Sequence, residues 1–283
     1  MRKTVKIIWT IVVLLLIAVI ATGVYMYFML GSALDNALEL SALADSHGGR
    51  KNVLIVGTDA SGMRSDVMMI ASFPDGDGSI NLMSVPRDTC AVIGGSTVKI
   101  NSAMNNGDDA VVQAVQDLTG IEIHDYVRTN FEAVAGIVDE LDGVMFYVPQ
   151  DMDYEDPVQD LYIHLTRGHQ LLTGQEAVQL LRFRGYGAAD IQRTRVQRRF
   201  LKAAFAQKAK LGYALQVPDI MNVLGENMET TVTSGSAVSY LLKAAMADGM
   251  QTIEMPFSWS APVSGGVSMD TSRMPAVVET YFK

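Results

Sequence analysis

The stretch from Ile7 to Leu30 constrains this chain most, because it runs for 24 residues without a charge. A helix rises about 1.5 Å per residue, so a run of this length reaches across the hydrocarbon of a bilayer. Arg2, Lys3 and Lys6 precede it, and no Lys or Arg follows until Arg50. That asymmetry places residues 1–6 in the cytoplasm and the rest of the chain outside. A cleaved signal peptide is the alternative, with Ala42 to Ala44 resembling a cleavage site. The apolar run is about twice the usual signal core, however, and ends well before those residues. The expected organisation is a transmembrane anchor over 7–30, a linker over 31–50, and one outer domain over 51–283.

The outer domain opens on the continuous apolar run Val53 to Val56, which ends at Gly57 and Asp59 and reads as a strand buried on both faces. Strands follow at Val67–Phe73 and Ile80–Val85, separated by the turn PDGDG. Helical spacing appears at Gly107–Leu118, Phe131–Leu141, Gln175–Leu181 and Ile191–Leu211, and extended segments at Tyr126–Thr129, Gly143–Val148 and Leu161–Leu165. Beyond Pro218 the pattern gives helices at Ile220–Asn227 and Ser236–Ala247, a strand at Thr252–Pro256, the loop SWSAPVSGGVSMD, and a closing helix at Pro275–Phe282. Strands alternating with helices imply an α/β fold, a layered α-β-α domain around a central mixed sheet.

The chain is acidic, with formal net charge −9, yet Arg182 to Arg199 holds six of its thirteen arginines. The overall balance excludes a general nucleic-acid binder, which needs a net basic face. Arg182 and Arg184 alternate, so an extended segment points both to one side. Arg193 and Gln197 are four apart and Asp190 is three before Arg193, so a helix puts all three on one face. Arg195 turns about 200° from Arg193, away from that face, and Arg198 and Arg199 read as solvated helix residues. Gathered guanidinium forks suit an anion with several oxygens. A charged helix face with Arg–Asp pairs is the plainer alternative. Upstream, Asp59, Arg64, Asp66, Arg87, Asp88 and Lys99 mostly cluster at the ends of apolar runs, where α/β proteins place their sites. Asp59 and Asp66 flank the loop between two strands, and two carboxylates beside a phosphate site suit Mg²⁺. Capping of turn amides is the simpler role for them. The single cysteine, Cys90, excludes an internal disulfide and reads as a half-buried thiol.

The segments LIVGTD, MRSDVMMI, INLMSVPRDT, VKINSAMNNG, DLTGIEIHDYV, IVDELDGV and LLRFRGYGAADIQRTRVQRRFL occur in this order over about Val53 to Leu201. Together they resemble the LytR-CpsA-Psr family. That resemblance implies a cell-envelope phosphotransferase, anchored in the membrane with its catalytic domain extracellular. Such an enzyme takes a glycopolymer from a polyprenyl-pyrophosphate carrier and joins it through a phosphodiester to peptidoglycan, assisted by Mg²⁺. The resemblance implies that Asp59 and Asp66 hold the metal and that Arg64, Arg87, Lys99, Arg182, Arg184, Arg193 and Gln197 hold the pyrophosphate. Of these, Arg87, Arg182 and Arg184 are expected to act catalytically. It also implies an apolar lipid tunnel between about Ile100 and Leu141. Two positions depart from the family pattern: Val196 stands where an arginine commonly precedes Gln197, and Cys90 where an aromatic or aliphatic residue is usual.

A sugar hydroxyl attacking in line would lose its proton to a nearby carboxylate, and Asp88 and Asp190 are the candidates, although either could instead orient an arginine. Three other functions compete with transfer. A non-catalytic lipid-phosphate module would not need both Asp59 and Asp66. A transcriptional regulator would sit on the wrong side of the membrane. A pyrophosphate hydrolase acting on the same lipid differs only in whether water or a sugar attacks.

Overall fold

The structure is a computed structural model that describes residues 49–58, 65–157, 161–186, 189–208, 228–233, 236, 239–240, 243–244, 246–258 and 261–283. The expected anchor, nearly all of the linker and the helix expected at Ile220–Asn227 lie outside these residues. Among the described residues no helix is long and apolar enough to cross a membrane. The elements below belong to the compact unit Gly48–Val232 with Tyr240–Lys283. Of the other unit, Met1–His47 with Thr233–Ser239, the described part shows Ser236 N–H donating to Thr233 Oγ1 at 3.2 Å.

Strand β1 (Lys51–Thr58) pairs antiparallel with β2 (Ser65–Phe73), and β2 pairs antiparallel with β3 (Ile80–Ser84). The PDGDG turn between β2 and β3 contains Gly76 at φ 95° and Gly78 at φ 135°, a region that side chains on Cβ disfavour. A hairpin follows, β4 (Cys90–Ile93) and β5 (Ser96–Lys99), and then a 3₁₀ turn, Ile100–Asn106. Helix α1 (Asp108–Thr119) stops at Gly120, whose left-handed backbone lets its N–H reach Gln116 O. Strand β6 (Asp125–Thr129) returns parallel to β1, and α2 (Phe131–Glu140) starts on Asn130, whose side chain accepts from Ala133 N–H.

Four short strands come next: β7 (Val144–Val148), β8 (Met152–Asp156), β9 (Leu161–Leu165) and β10 (Gly168–Leu172). They pair β10 with β7 and β8 with β9. Thr173 and Glu176 form a capping box that starts α3 (Gly174–Arg182), and α4 (Ala189–Lys208) follows it. Strand β11 (Met228–Thr230) adds to β6, β12 (Met250–Glu254) adds parallel to β3, β13 (Phe257–Ser258) pairs with β14 (Ser268–Met269), and α5 (Met274–Tyr281) ends the chain. The central sheet is therefore mixed, in the order β11-β6-β1-β2-β3-β12.

Strand alternation divides the apolar residues between its two faces. Leu54, Val56, Met68, Ile70 and Met83 pack under α1, the 3₁₀ turn and α5. Met69, Ala71 and Leu82 face the other way, against Leu201 of α4. A second core lies between α2, α3, α4 and the four short strands, and it includes Phe146, Ile163, Leu180, Val196 and Phe200. Helix α4 is thus pressed from two sides, which matters for its arginines.

At the start of the sheet, Asn52 N–H donates to His124 Nδ1 at 3.2 Å. Burial and then the nearby Lys51 charge hold this histidine below its ordinary 6.5, outweighing Glu122 and Asp125. The unfolded chain therefore takes up the proton first as pH falls through 6.5, and stability present above that value is lost toward the folded pKa. Calorimetry from pH 7.5 to 5.5 should show a steeper fall in Tm for the wild type than for His124→Asn. Parallel curves would show that the ring does not couple to folding.

Candidate functional site

The carboxyl end of β1 with the amino end of β2, the foot of the β4–β5 hairpin and the α3–α4 junction carry the charged residues singled out by the sequence. Asp59 and Arg64 lie in residues 59–64, outside the described set, and only the backbone of Asp66 is described. That backbone is informative. Thr58 pairs with Ser65 across a register shift at Gly57/Thr58, so Asp59 and Asp66 each adjoin one member of the same cross-strand pair. Among the described residues no cluster of three or more His, Cys, Asp or Glu could hold a metal.

Arg87 and Lys99 are brought together by the hairpin. Cys90 pairs with Lys99, and Asn101 N–H donates to Arg87 O at 3.2 Å. Asp88 lies between the two cations, 3.0 Å from Lys99 Nζ and 3.8 Å from Arg87 Nε. A carboxylate shared by two cations orients them, and this is the role its geometry gives Asp88.

The hairpin rests on the late loop. Cys90 N–H donates to Val267 O at 2.8 Å, and Val267 N–H to Asp88 O at 3.1 Å. A Cβ on Gly266 would meet Cys90 Sγ at 2.8 Å and Asp88 O at 3.2 Å, so only glycine lets the loop approach this closely. The segment SWSAPVSGGVSMD, expected as a loop, thus also supports the site, a role that sequence reasoning missed; its signal was the Gly265–Gly266 pair. Cys90 is buried here, a packing thiol rather than an exposed nucleophile.

At the α3–α4 junction, α3 ends at Arg182, and Phe183 is already extended. The Arg182 guanidinium lies 5.3 Å from the centre of the Phe131 ring, which begins α2. This cation–π contact helps to fix the guanidinium, and Phe131 was not foreseen. Arg184 is exposed two residues later. Arg193 and Gln197 are buried on one face of α4, and Gln197 Nε2 donates to Leu181 O at 2.9 Å. That bond ties the Arg193–Gln197 face to the residue before Arg182, so the two halves of the cluster meet at one junction.

Arg195 points elsewhere, 2.8 Å from Glu254 on β12, in keeping with its exclusion from the site. Arg199 is exposed, as expected. Arg198 corrects the sequence reading, since only 6% of it is exposed. Thr194, Arg198 and Leu201 share a second face of α4, and Leu201 packs on the central sheet. Burial pushes the Arg198 guanidinium below its usual range, partly offset by Glu254. Asp190 lies in the first turn of α4, and its side chain is not described.

Residues 26–280 match the LytR_cpsA_psr family model. The chain is 28% identical over 210 residues to an uncharacterized Staphylococcus aureus protein, covering 73% of this chain and half the length of that protein. It is 25% identical to the polyisoprenyl-teichoic acid–peptidoglycan teichoic acid transferase TagV of Bacillus subtilis, covering 90% of this chain and 71% of the relative. The crystal structure of B. subtilis TagV superposes with TM-score 0.69 and 22% identity, covering 83% of this chain and 96% of that one. TagT bound to LI-WTA superposes with TM-score 0.67 and 22% identity, covering 82% and 89%. At these identities the two structures establish the shared fold.

Proposed function

Because this chain belongs to the LytR-CpsA-Psr family, we propose that it is a phosphotransferase joining a glycopolymer from a polyprenyl-pyrophosphate carrier to peptidoglycan. The names of its curated relatives, transferases of polyisoprenyl-linked teichoic acid to peptidoglycan, support this reading. The observation that carries it within the chain is the Gln197–Leu181 bond, which joins buried Arg193 and Gln197 to Arg182 and Arg184. A guanidinium as deeply buried as Arg193, sharing a junction with two more, suits a dense anion better than a solvated helix face does. The working position is the outer face of the membrane, with residues 7–30 as the anchor.

In the proposed reaction the oxygen of an acceptor sugar hydroxyl forms a bond to the glycan-side phosphorus. The bond from that phosphorus to the bridging oxygen breaks. The lipid phosphate leaves with the electron pair, and the hydroxyl proton passes to a base or to water. Arg182, Arg184 and Arg87 stabilise charge that develops on the bridging oxygen, while Arg64, Lys99, Arg193 and Gln197 hold the pyrophosphate. Asp88 keeps Lys99 and Arg87 in place for this work. Mg²⁺ held by Asp59 and Asp66 would neutralise part of the pyrophosphate charge.

The test incubates the purified chain with a lipid-pyrophosphate glycan, with and without peptidoglycan oligomers. Sugar on the peptidoglycan supports transfer. Free phosphoglycan formed equally with or without acceptor identifies a hydrolase, and intact lipid in both tubes a binding module. In the same assay Asp59→Ala and Asp66→Ala should each abolish Mg²⁺ stimulation while keeping the fold. Their Tm without metal should stay level or rise, because the proposed site then holds one carboxylate in place of two. Full activity in both variants, with chelator controls, would remove the metal site.

A further inference from the structure

Two uncharged side chains at the arginine junction each have a buried polar atom without a hydrogen-bond partner among the described residues, the hydroxyl of Tyr186 and Oε1 of Gln197. Tyr186 is 7% exposed and Gln197 2%, so solvent does not satisfy them. Neither group is free to turn. The Tyr186 ring stands edge-on to Phe183, with centroids 5.0 Å apart and planes at 89°. Gln197 Nε2 is held by Leu181 O, which fixes the opposite end of the same amide. Leaving such groups unpaired costs stability, and phenylalanine would fill the apolar cluster around Tyr186 without that cost.

The chemistry of this hydroxyl differs from that of the surrounding arginines. Burial pushes the Tyr186 phenol above its ordinary range, so it is a neutral donor throughout physiological pH and not a base. Gln197 Oε1 is a neutral acceptor. A pyrophosphate offers acceptor oxygens only and leaves that atom unsatisfied. A sugar hydroxyl both accepts and donates, and so offers what each of the two atoms lacks. Tyr186 follows Arg184 by two residues and Gln197 lies one turn beyond Arg193, so both stand on the stretch assigned to the pyrophosphate. We propose that Tyr186 and Gln197 recognise a hydroxyl of the glycan next to the pyrophosphate, so that the site distinguishes a sugar-bearing carrier from the bare lipid pyrophosphate. This inference rests on the pyrophosphate reading above and adds its selectivity.

Tyr186→Phe in the full chain removes a single oxygen. Binding is measured by calorimetry with two probes, farnesyl pyrophosphate and the same lipid carrying N-acetylglucosamine. The expected result is a five- to tenfold weaker Kd for the sugar-bearing probe, an unchanged Kd for the bare one, and a Tm equal to or above wild type. Equal change with both probes, or none with either, overturns the recognition of a hydroxyl. A clear fall in Tm also overturns it, since it would reveal a structural partner for the phenol. Arg182→Ala separates the two levels of the reading. Weaker binding of both probes upholds the pyrophosphate site whatever Tyr186→Phe shows, whereas unchanged binding of both means that the pyrophosphate reading itself has failed.

Discussion

An Arg182→Lys protein should fold like the wild type and transfer glycan about ten- to a hundredfold more slowly. Lysine keeps the positive charge but loses the two-pronged hydrogen bond that a guanidinium offers to a phosphate. It also loses the flat cation that stacks on Phe131 at 5.3 Å, so the replacement is less well placed as well as less well shaped. Arg182→Ala should cost more, about 10²- to 10³-fold, which is the scale for removing one preorganised charge-stabilising donor. Arg184→Lys and Arg193→Lys should resemble Arg182→Lys. The double variant Arg182→Ala/Arg184→Ala should lose less than the sum of its parts, because both groups act on one anion. Arg199→Lys, exposed on α4, should be silent. Steady-state rates with matched Tm values decide the matter. Equal, mild losses at Arg182, Arg184, Arg193 and Arg199 would mean a charged surface and no phosphate site.

Arg198 belongs to a different class from Arg199, and the difference shows what the sequence could carry. Helical spacing was enough to put Arg193 and Gln197 on one face and Arg195 off it, and both placements hold. Spacing within a helix cannot say how many of its faces are covered. Helix α4 is buried on one side by the second core, through Val196 and Phe200, and on another by the central sheet, through Leu201. Arg198 falls on the sheet side, so Arg198→Lys should lower stability and not be silent.

The same limit explains which strands were legible. β1, β2 and β3 are central and dense in Val, Ile, Leu and Met, so their continuous apolar runs identified them. β8 and β10 were missed because MDYED and GHQLL are mostly polar, whereas their ribbon partners β9 and β7, LYIHL and VMFYV, carry the apolar residues that mark a strand. The β4–β5 hairpin did carry a signal. Gly94 at φ 58° and Gly95 at φ 80° occupy the two positions of a tight turn that require positive φ. The meeting of Lys99 and Asp88 with the late loop carried only the Gly265–Gly266 pair as a signal, which marks a close approach but not its partner, because the contact joins segments more than 150 residues apart.

Gly174→Ala should be among the most damaging single-methyl changes in the domain, although Gly174 lies at the far end of α3 from Arg182. Helices α2 and α3 run side by side in opposite directions. Phe131 at the start of α2 meets Arg182 at the end of α3, and Ala135 and Asp139 meet Gly174 at its beginning. There Gly174 N–H donates to Asp139 Oδ1 at 2.7 Å. A Cβ on Gly174 would stand 2.2 Å from Ala135 O and 2.5 Å from Asp139 Oδ2. The carboxylate can swing aside at the expense of its bond to Gly174, but the carbonyl belongs to the α2 backbone and cannot. The helices must therefore separate, at a cost of about 1–3 kcal/mol for overpacking of this kind, or roughly 2–12 °C in Tm for a domain of this size. Separation at one end also shifts Arg182 relative to Phe131 at the other. Transfer should then fall by more than the unfolded fraction explains, at a temperature where the variant is still folded. Gln175→Ala, exposed one residue later, controls for loss of helix-start contacts and should change neither quantity by much. A Gly174→Ala protein within about 0.5 kcal/mol of wild type would mean that the helices are not in contact at Gly174. The placement of Arg182 would then have to come from α4 through Gln197 alone.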